Sequence, residues 1–215
     1  MSRSVGQATT PTRANVRSRR DFAAERPGVD LRLDVTPRVQ VVIGARAMRA
    51  IGEETVALSR DRGVESGGWM FGTGAFRWDR RIEVSIASGP GARSRHAPDW
   101  CELDYDLLLQ RQRELDQAGS DVCYLGEWHT HPSGLVHRPS EGDLRAWKRR
   151  WLLVDQDPRL GRKRRFMPRY VGLLVGPGEG SCSWSTERLK LTAWIVQDDG
   201  RGRIVCEPAA IEKKP

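Results

Sequence analysis

Two histidines, His129 and His131, close the run Gly126-Glu127-Trp128-His129-Thr130-His131-Pro132, and a serine and an aspartate follow in Pro139-Ser140-Glu141-Gly142-Asp143. The preceding Cys123-Tyr124-Leu125 is apolar and suits a buried strand. Side chains at i and i+2 of a strand leave the same face, about 7 Å apart along the chain. His129 and His131 can therefore aim both imidazoles at one ion, with Thr130 facing away. A carboxylate from Asp143 would complete a His, His, Asp set. Three protein ligands with one open position is the arrangement of a catalytic zinc, whereas structural zinc sites are closed by four ligands, usually rich in cysteine. The chemistry indicated is metal-assisted hydrolysis.

The same residues carry a plainer reading. Ser140 follows a proline and precedes Asp143 by three positions, the pattern of a helix N-cap whose hydroxyl bonds the amide of residue 143, with an acid favoured in the first turn. The two readings are compatible, because a capped helix start is a rigid platform for a ligand. A lone His-x-His pair arises by chance; here two of the four histidines in the chain lie in this one run.

The block resembles the JAMM motif of JAB/MPN metallopeptidases: an upstream glutamate, then His-(Ser/Thr)-His-Pro, then Ser-x-x-Asp. The loop from Pro132 to Pro139 is one residue longer than in many members. The form Leu-Gly-Glu-Trp-His-Thr-His-Pro is most similar to bacterial JAB isopeptidases of CBASS antiphage operons and related ubiquitin-like conjugation operons. The resemblance implies a glutamate at the end of the first helix, and Val64-Glu65-Ser66-Gly67-Gly68-Trp69 supplies one at the right distance. Glu65 would then be the catalytic acid/base and Ser140 the donor to the developing oxyanion, with zinc on His129, His131 and Asp143. Taken alone, Glu65 reads as a solvated carboxylate at a helix end.

Several elements must position these groups. A strand is expected over Val39–Ile43, a helix over Ala45–Arg60, and a strand over Gly68–Gly72 with a hairpin partner at Arg81–Ser88. Residues 89–98 read as a loop, followed by a helix over Asp104–Ala118. The central strand, Asp121–Trp128, ends in the histidine pair, and a helix over Ser140–Val154 presents Leu144, Trp147, Trp151 and Leu152. A basic excursion over Asp155–Arg165 precedes strands at Arg169–Val175, Leu189–Val196 and Arg203–Glu207. Helices and strands mix without strict alternation, so the fold class expected is α+β. The resemblance makes it a JAB/MPN-type, cytidine-deaminase-like mixed sheet flanked by helices. Residues 1–37 read as a disordered arginine-rich tail, residues 38–207 as the metallopeptidase domain and residues 208–215 as a second tail. His96 and His137 read as loop histidines, and Trp128 as a core residue.

Composition bounds the partners. The chain has 215 residues and a net charge of +8. Eight arginines against four acids put residues 1–40 at +4, and nine Lys or Arg against two Asp put residues 148–169 at +7, leaving the remainder about −3. No aromatics interleave with the arginines in the manner of a nucleic-acid surface. Long apolar runs are absent, as is the apolar core of a signal peptide, and four scattered cysteines without a Cys-x-x-Cys pair suit reduced thiols; the expectation is a cytoplasmic protein without a membrane span. The resemblance implies a substrate that is a ubiquitin-like protein, or a protein conjugated through its C-terminus, together with E1- or E2-like operon partners. Rival readings are a non-catalytic MPN scaffold, or a hydrolase of sulfur-carrier precursors or small amides. Scaffold relatives typically lose the glutamate or the ligands, and this chain keeps all four positions.

Overall fold

A computed structural model describes residues 29–33, 35–75, 79–132, 138–156, 169–178 and 188–214. The elements are β1 (Asp30–Leu31), β2 (Gln40–Ile43), α1 (Ala45–Glu54), β3 (Gly67–Thr73), β4 (Arg81–Ala87), β5 (Arg95–Ala97), β6 (Trp100–Glu102), α2 (Tyr105–Gln117), β7 (Cys123–Thr130), α3 (Glu141–Gln156), β8 (Arg169–Gly176), β9 (Lys190–Asp198) and β10 (Ile204–Lys213). The architecture is α+β, a mixed sheet with three helices, as the sequence leads one to expect. None of the described helices is long and apolar enough to cross a membrane.

The main sheet runs β1-β10-β2-β4-β3-β7-β8-β9, and β10 also pairs with β9, so the sheet closes on itself. Closure is possible because β10 is long. Its first half, Ile204–Ala209, pairs antiparallel with β9, and its second half, Ala210–Lys213, pairs parallel with β2. The short β1 pairs parallel with Val205 and Cys206 on the edge that β2 takes further along. Cys206 C=O accepts from Arg32 N–H, and Ala210 N–H donates to Val39 C=O. Residue 208 shares their orientation and falls in the gap between the two partners. A proline there forfeits no ladder bond.

Closure gives the sheet two unlike faces. Val41, Ile43, Met70, Val84, Leu125, Trp128, Leu173 and Ile195 share one cluster with Ala47, Met48 and Ile51 of α1. Trp69, Phe71, Tyr124, Tyr170, Leu174 and Trp194 form the other, covered by Leu108 and Leu109 of α2 and Trp147 of α3. β3 and β7 supply both clusters because each alternates along its length.

A bulge in the β3–β7 pair decides where the histidines point. Met70 faces Gly126 and Phe71 faces Tyr124, which leaves Leu125 as the extra residue. Cys123 and Leu125 belong to the inner cluster, and beyond the bulge Trp128 belongs to it too. The inward parity thus switches from odd to even numbers. Glu127, His129 and His131 are turned outward, towards α3. Bulges next to functional sites re-aim side chains in this way.

Three expectations need correction. The body begins before residue 38, because Asp30 and Leu31 form β1, and Arg32 is held by ion pairs to Asp30, Asp199 and Glu207. It also extends past 207, since β10 runs to Lys213. Two residues of pairing are too few to leave a periodic signature, and Pro208 reads locally as a strand breaker. The stretch 89–98 is not all loop: Arg95–Ala97 pairs antiparallel with Trp100–Glu102 in a separate two-stranded sheet. The first helix also winds differently at its end, with Thr55–Arg60 in a π-helical turn that buries Thr55 and Ser59. His137, residues 1–28 and most of the basic excursion lie outside the described residues.

Candidate metal centre

The two histidines of the expected site come from the end of one strand and the aspartate from a helix. His129 leaves β7 and His131 follows its last residue, with His131 N–H donating to Val175 C=O at the end of the neighbouring β8. Asp143 sits in the first turn of α3. Here the capping reading and the ligand reading meet: the Asp143 amide donates to Ser140 Oγ at 3.1 Å, and the Ser140 amide donates to Asp143 Oδ2 at 2.7 Å. The reciprocal cap satisfies two orphan donors of the helix start and fixes the carboxylate plane.

The three side chains converge. His129 Nε2 lies 3.1 Å from His131 Nε2 and 2.9 Å from Asp143 Oδ1, and His131 Nε2 lies 3.5 Å from Asp143 Oδ2. Among the described residues these three form the one grouping able to share a metal ion, with ligand atoms all within 4.8 Å. A tetrahedral zinc with bonds of about 2.0–2.2 Å sets neighbouring ligand atoms roughly 3.3–3.6 Å apart. One separation, 3.5 Å, falls in that range and the other two, 2.9 and 3.1 Å, are a few tenths of an ångström shorter, so a small outward movement lets this donor set fit a zinc in size and chemical type. Both histidines are buried, and the Asp143 side chain is 14% exposed. Burial acts to raise the Asp143 carboxyl, but hydrogen bonds from His129, His131 and Ser140 outweigh it and hold the group well below the usual carboxylate range. The cluster therefore presents an anion to two imidazoles.

Glu65 lies in the irregular stretch between the π-helical turn and β3. Burial pushes its carboxyl up to about 7, opposed by the charges of His129 and His131 and reinforced by those of Asp143 and Asp99. The backbone brings this segment to the ligand strand, since Ser66 is bonded to Thr130 and Gly67 pairs with His129. The thiol of half-buried Cys101 is pushed up to about 12, first by burial and then by the charge of Glu65.

Several residues that support the site escaped the sequence reading. Thr130 does face away from its histidine neighbours, and there it ties β7 to the Glu65 segment. Its Oγ1 accepts the Ser66 amide at 2.8 Å, its own amide donates to Ser66 C=O at 2.7 Å, and Ser59 Oγ lies 2.6 Å from its hydroxyl. His96 is no free loop residue either: its Nδ1 lies 2.8 Å from Glu65 C=O. Down α3, Trp147 packs beside His129 with ring centroids 6.0 Å apart, and Arg150 forms an ion pair with buried Glu127 while stacking 5.4 Å above Trp69. Asp143, Trp147 and Arg150 follow the i, i+4, i+7 spacing of one helix face. That face meets the three outward residues His131, His129 and Glu127 of the bulged strand. Periodicity alone flags Trp147 as apolar; the partner of Glu127 has no local signal.

Two comparisons with known proteins bear on the site. A family model described as prokaryotic homologs of the JAB domain matches residues 44–185. Over 85 residues the chain is 32% identical to a protein of Escherichia coli (strain TW11681) called CD-NTase/cGAS isopeptidase, a match spanning 39% of this chain and 52% of that protein. The chain thus spans about half the length of this curated relative.

Proposed function

The chain belongs to the prokaryotic homologs of the JAB domain, and from that membership we propose that it is a zinc-dependent isopeptidase or peptidase. Its substrate on this reading is a ubiquitin-like protein, or a protein conjugated through its C-terminal tail, and cleavage falls after that tail. The relative's name supports a nucleotidyltransferase of the CD-NTase/cGAS kind as the conjugated protein, in a bacterial defence or conjugation operon with E1- or E2-like partners. The observation that carries the reading is the convergence of His129, His131 and Asp143, with the half-buried carboxyl of Glu65 electrostatically coupled to them.

His129, His131 and Asp143 would hold the zinc. When bound, it supplies Lewis acidity, which polarises a carbonyl and lets water act as a nucleophile near neutral pH. Glu65, with a carboxyl raised towards neutrality, is matched to take a proton from water and return it to the departing amine. The Ser140 hydroxyl accepts from the Asp143 amide and keeps its own proton to donate to the developing oxyanion. Trp147 and Asp143 screen the histidines from bulk solvent, which strengthens every interaction inside.

The test is a fusion in which the C-terminal tail of a CD-NTase is joined by an amide bond to green fluorescent protein. The wild-type protein loaded with zinc should separate the two. Glu65→Gln should retain zinc and fold normally, yet lose cleavage by on the order of 10² or more. Cleavage by Glu65→Gln at the wild-type rate would remove the assigned acid/base role.

A further inference from the structure

Glu65 is placed by a segment with little structure of its own. Gly63 adopts φ +65° two residues before it, and β3 begins two residues after it. Neither a helix nor a strand of the main sheet sets its backbone. Thr130 anchors the next residue, Ser66, to the ligand strand. A further constraint on residue 65 comes from the small β5–β6 hairpin, whose first strand lies in the stretch expected to be loop.

That hairpin grips Glu65 by both backbone groups. The Glu65 amide donates to Ala97 C=O at 2.8 Å, and the Glu65 carbonyl lies 2.8 Å from His96 Nδ1. A carbonyl oxygen only accepts, so Nδ1 carries the proton in this contact. The other ring nitrogen, Nε2, lies 2.9 Å from Ser94 Oγ and, with Nδ1 protonated, accepts that hydroxyl's one proton, for which Gly91 C=O at 2.7 Å competes. The imidazole is therefore fixed at both ends. His96 and Cys101 are register partners, so both turn to the same face of the hairpin. Cys101 Sγ would lie 3.3 Å from a Cβ at Gly67, so the thiol fills the space this glycine leaves. The charge of Glu54, at the end of α1, also reaches His96.

We propose that His96 is a positioning residue for the acid/base carboxylate. Its Nδ1–H bond to the Glu65 carbonyl, with the Glu65–Ala97 bond, sets where the Glu65 side chain stands relative to the His129/His131/Asp143 cluster. The inference rests on the reading of Glu65 as the acid/base. A carboxylate held by backbone bonds on an irregular segment drifts when one of them is cut, and a displacement of about 1 Å in a reacting group costs about 100-fold in rate. Metal binding should be left alone, because the bonds described for His96 run to the Glu65 carbonyl and to Ser94.

The discriminating pair is His96→Asn and His96→Gln, assayed on full-length protein with the CD-NTase-tail fusion to green fluorescent protein. Asparagine brings its amide nitrogen to the position of Nδ1 and can keep the bond to Glu65; glutamine brings its amide nitrogen to the position of Nε2 and cannot. Asn should keep kcat within about 3-fold of wild type, and Gln should lose about 10- to 100-fold in kcat with KM and zinc content unchanged. Hydrogen exchange at the Glu65 amide should quicken in the Gln variant alone, a readout independent of turnover. Equal kcat in the two variants, a loss of zinc in the Gln variant, or unchanged exchange at residue 65 would overturn the proposal. The Glu65→Gln control separates the two failures. If Glu65→Gln cleaves normally, the acid/base reading falls; if it is inactive while His96→Gln is fully active, only the positioning role falls.

Discussion

The positions of His129 and Asp143 are each set by constraints of the fold itself. His129 is held between Trp147 and the backbone of β3, where a Cβ at Gly67 would come within 3.1 Å of the His129 Cβ and 2.6 Å of the Trp128 carbonyl. Asp143 is fixed by its reciprocal cap with Ser140. On this basis purified protein should carry about one zinc per chain, with three protein ligands. His129→Ala and Asp143→Ala should each lose most of it, measured by elemental analysis after dialysis. Full retention in both variants would mean the ion sits elsewhere. Residue types and spacing made these positions legible, because a strand's two-residue period and a helix cap are local rules. The supports were not legible: Thr130, His96 and Arg150 act on partners that are distant in sequence, and nothing local announces such a partner.

At the scale of elements, the decisive relation is how α3 lies on β7 and β8. Gly172 of β8 makes room for the helix, since a Cβ there would meet the Trp147 indole at 2.4 Å. Trp147 is fully buried and its ring is a rigid wall, so it cannot give way as a flexible chain end would. Gly172→Ala should therefore cost about 1–3 kcal/mol of stability, as overpacking does, and should lift the helix start that carries Asp143. Thermal melts of zinc-free protein and zinc competition against a chelator should both show weakening. A variant with wild-type stability and affinity would show that α3 tolerates a shift. The elements themselves were largely readable from hydrophobic pattern, apart from β1, β5, β6 and the last stretch of β10. These are short, hydrogen-bonded to distant chain, or interrupted by proline, and each is specified by its partner more than by its own residues.

At the scale of the whole molecule, the described residues near either end are tied into the sheet, Arg32 to β10 and Lys214 to β2 and β4. Arg32 donates its amide to Cys206 and pairs with Glu207, while Lys214 donates its amide to Ile43 C=O and pairs with Glu83. Composition alone implies that removing residues 1–36 leaves stability unchanged. The pairing of β1 reverses that expectation. Deletion of 1–36 removes the β1 ladder and the Arg32 contacts, and the loss should be about 1–2 kcal/mol, since each net hydrogen bond contributes about 1. For a domain of this size that is a fall of about 2–8 °C in Tm. An unchanged Tm would mean β1 contributes nothing to the fold.

Closure through β10 also has a consequence in time. A ribosome delivers the chain from its N-terminus, and the strands that need β10 are made first: β2 waits about 170 residues for its partner on that side, and β9 waits for the hairpin turn that follows it. Until residues 204–213 emerge, two apolar strands stand with bare edges, a state that invites pairing with other chains. The non-local contact that closes the sheet thus becomes available only once residues 204–213 have been made, long after β2.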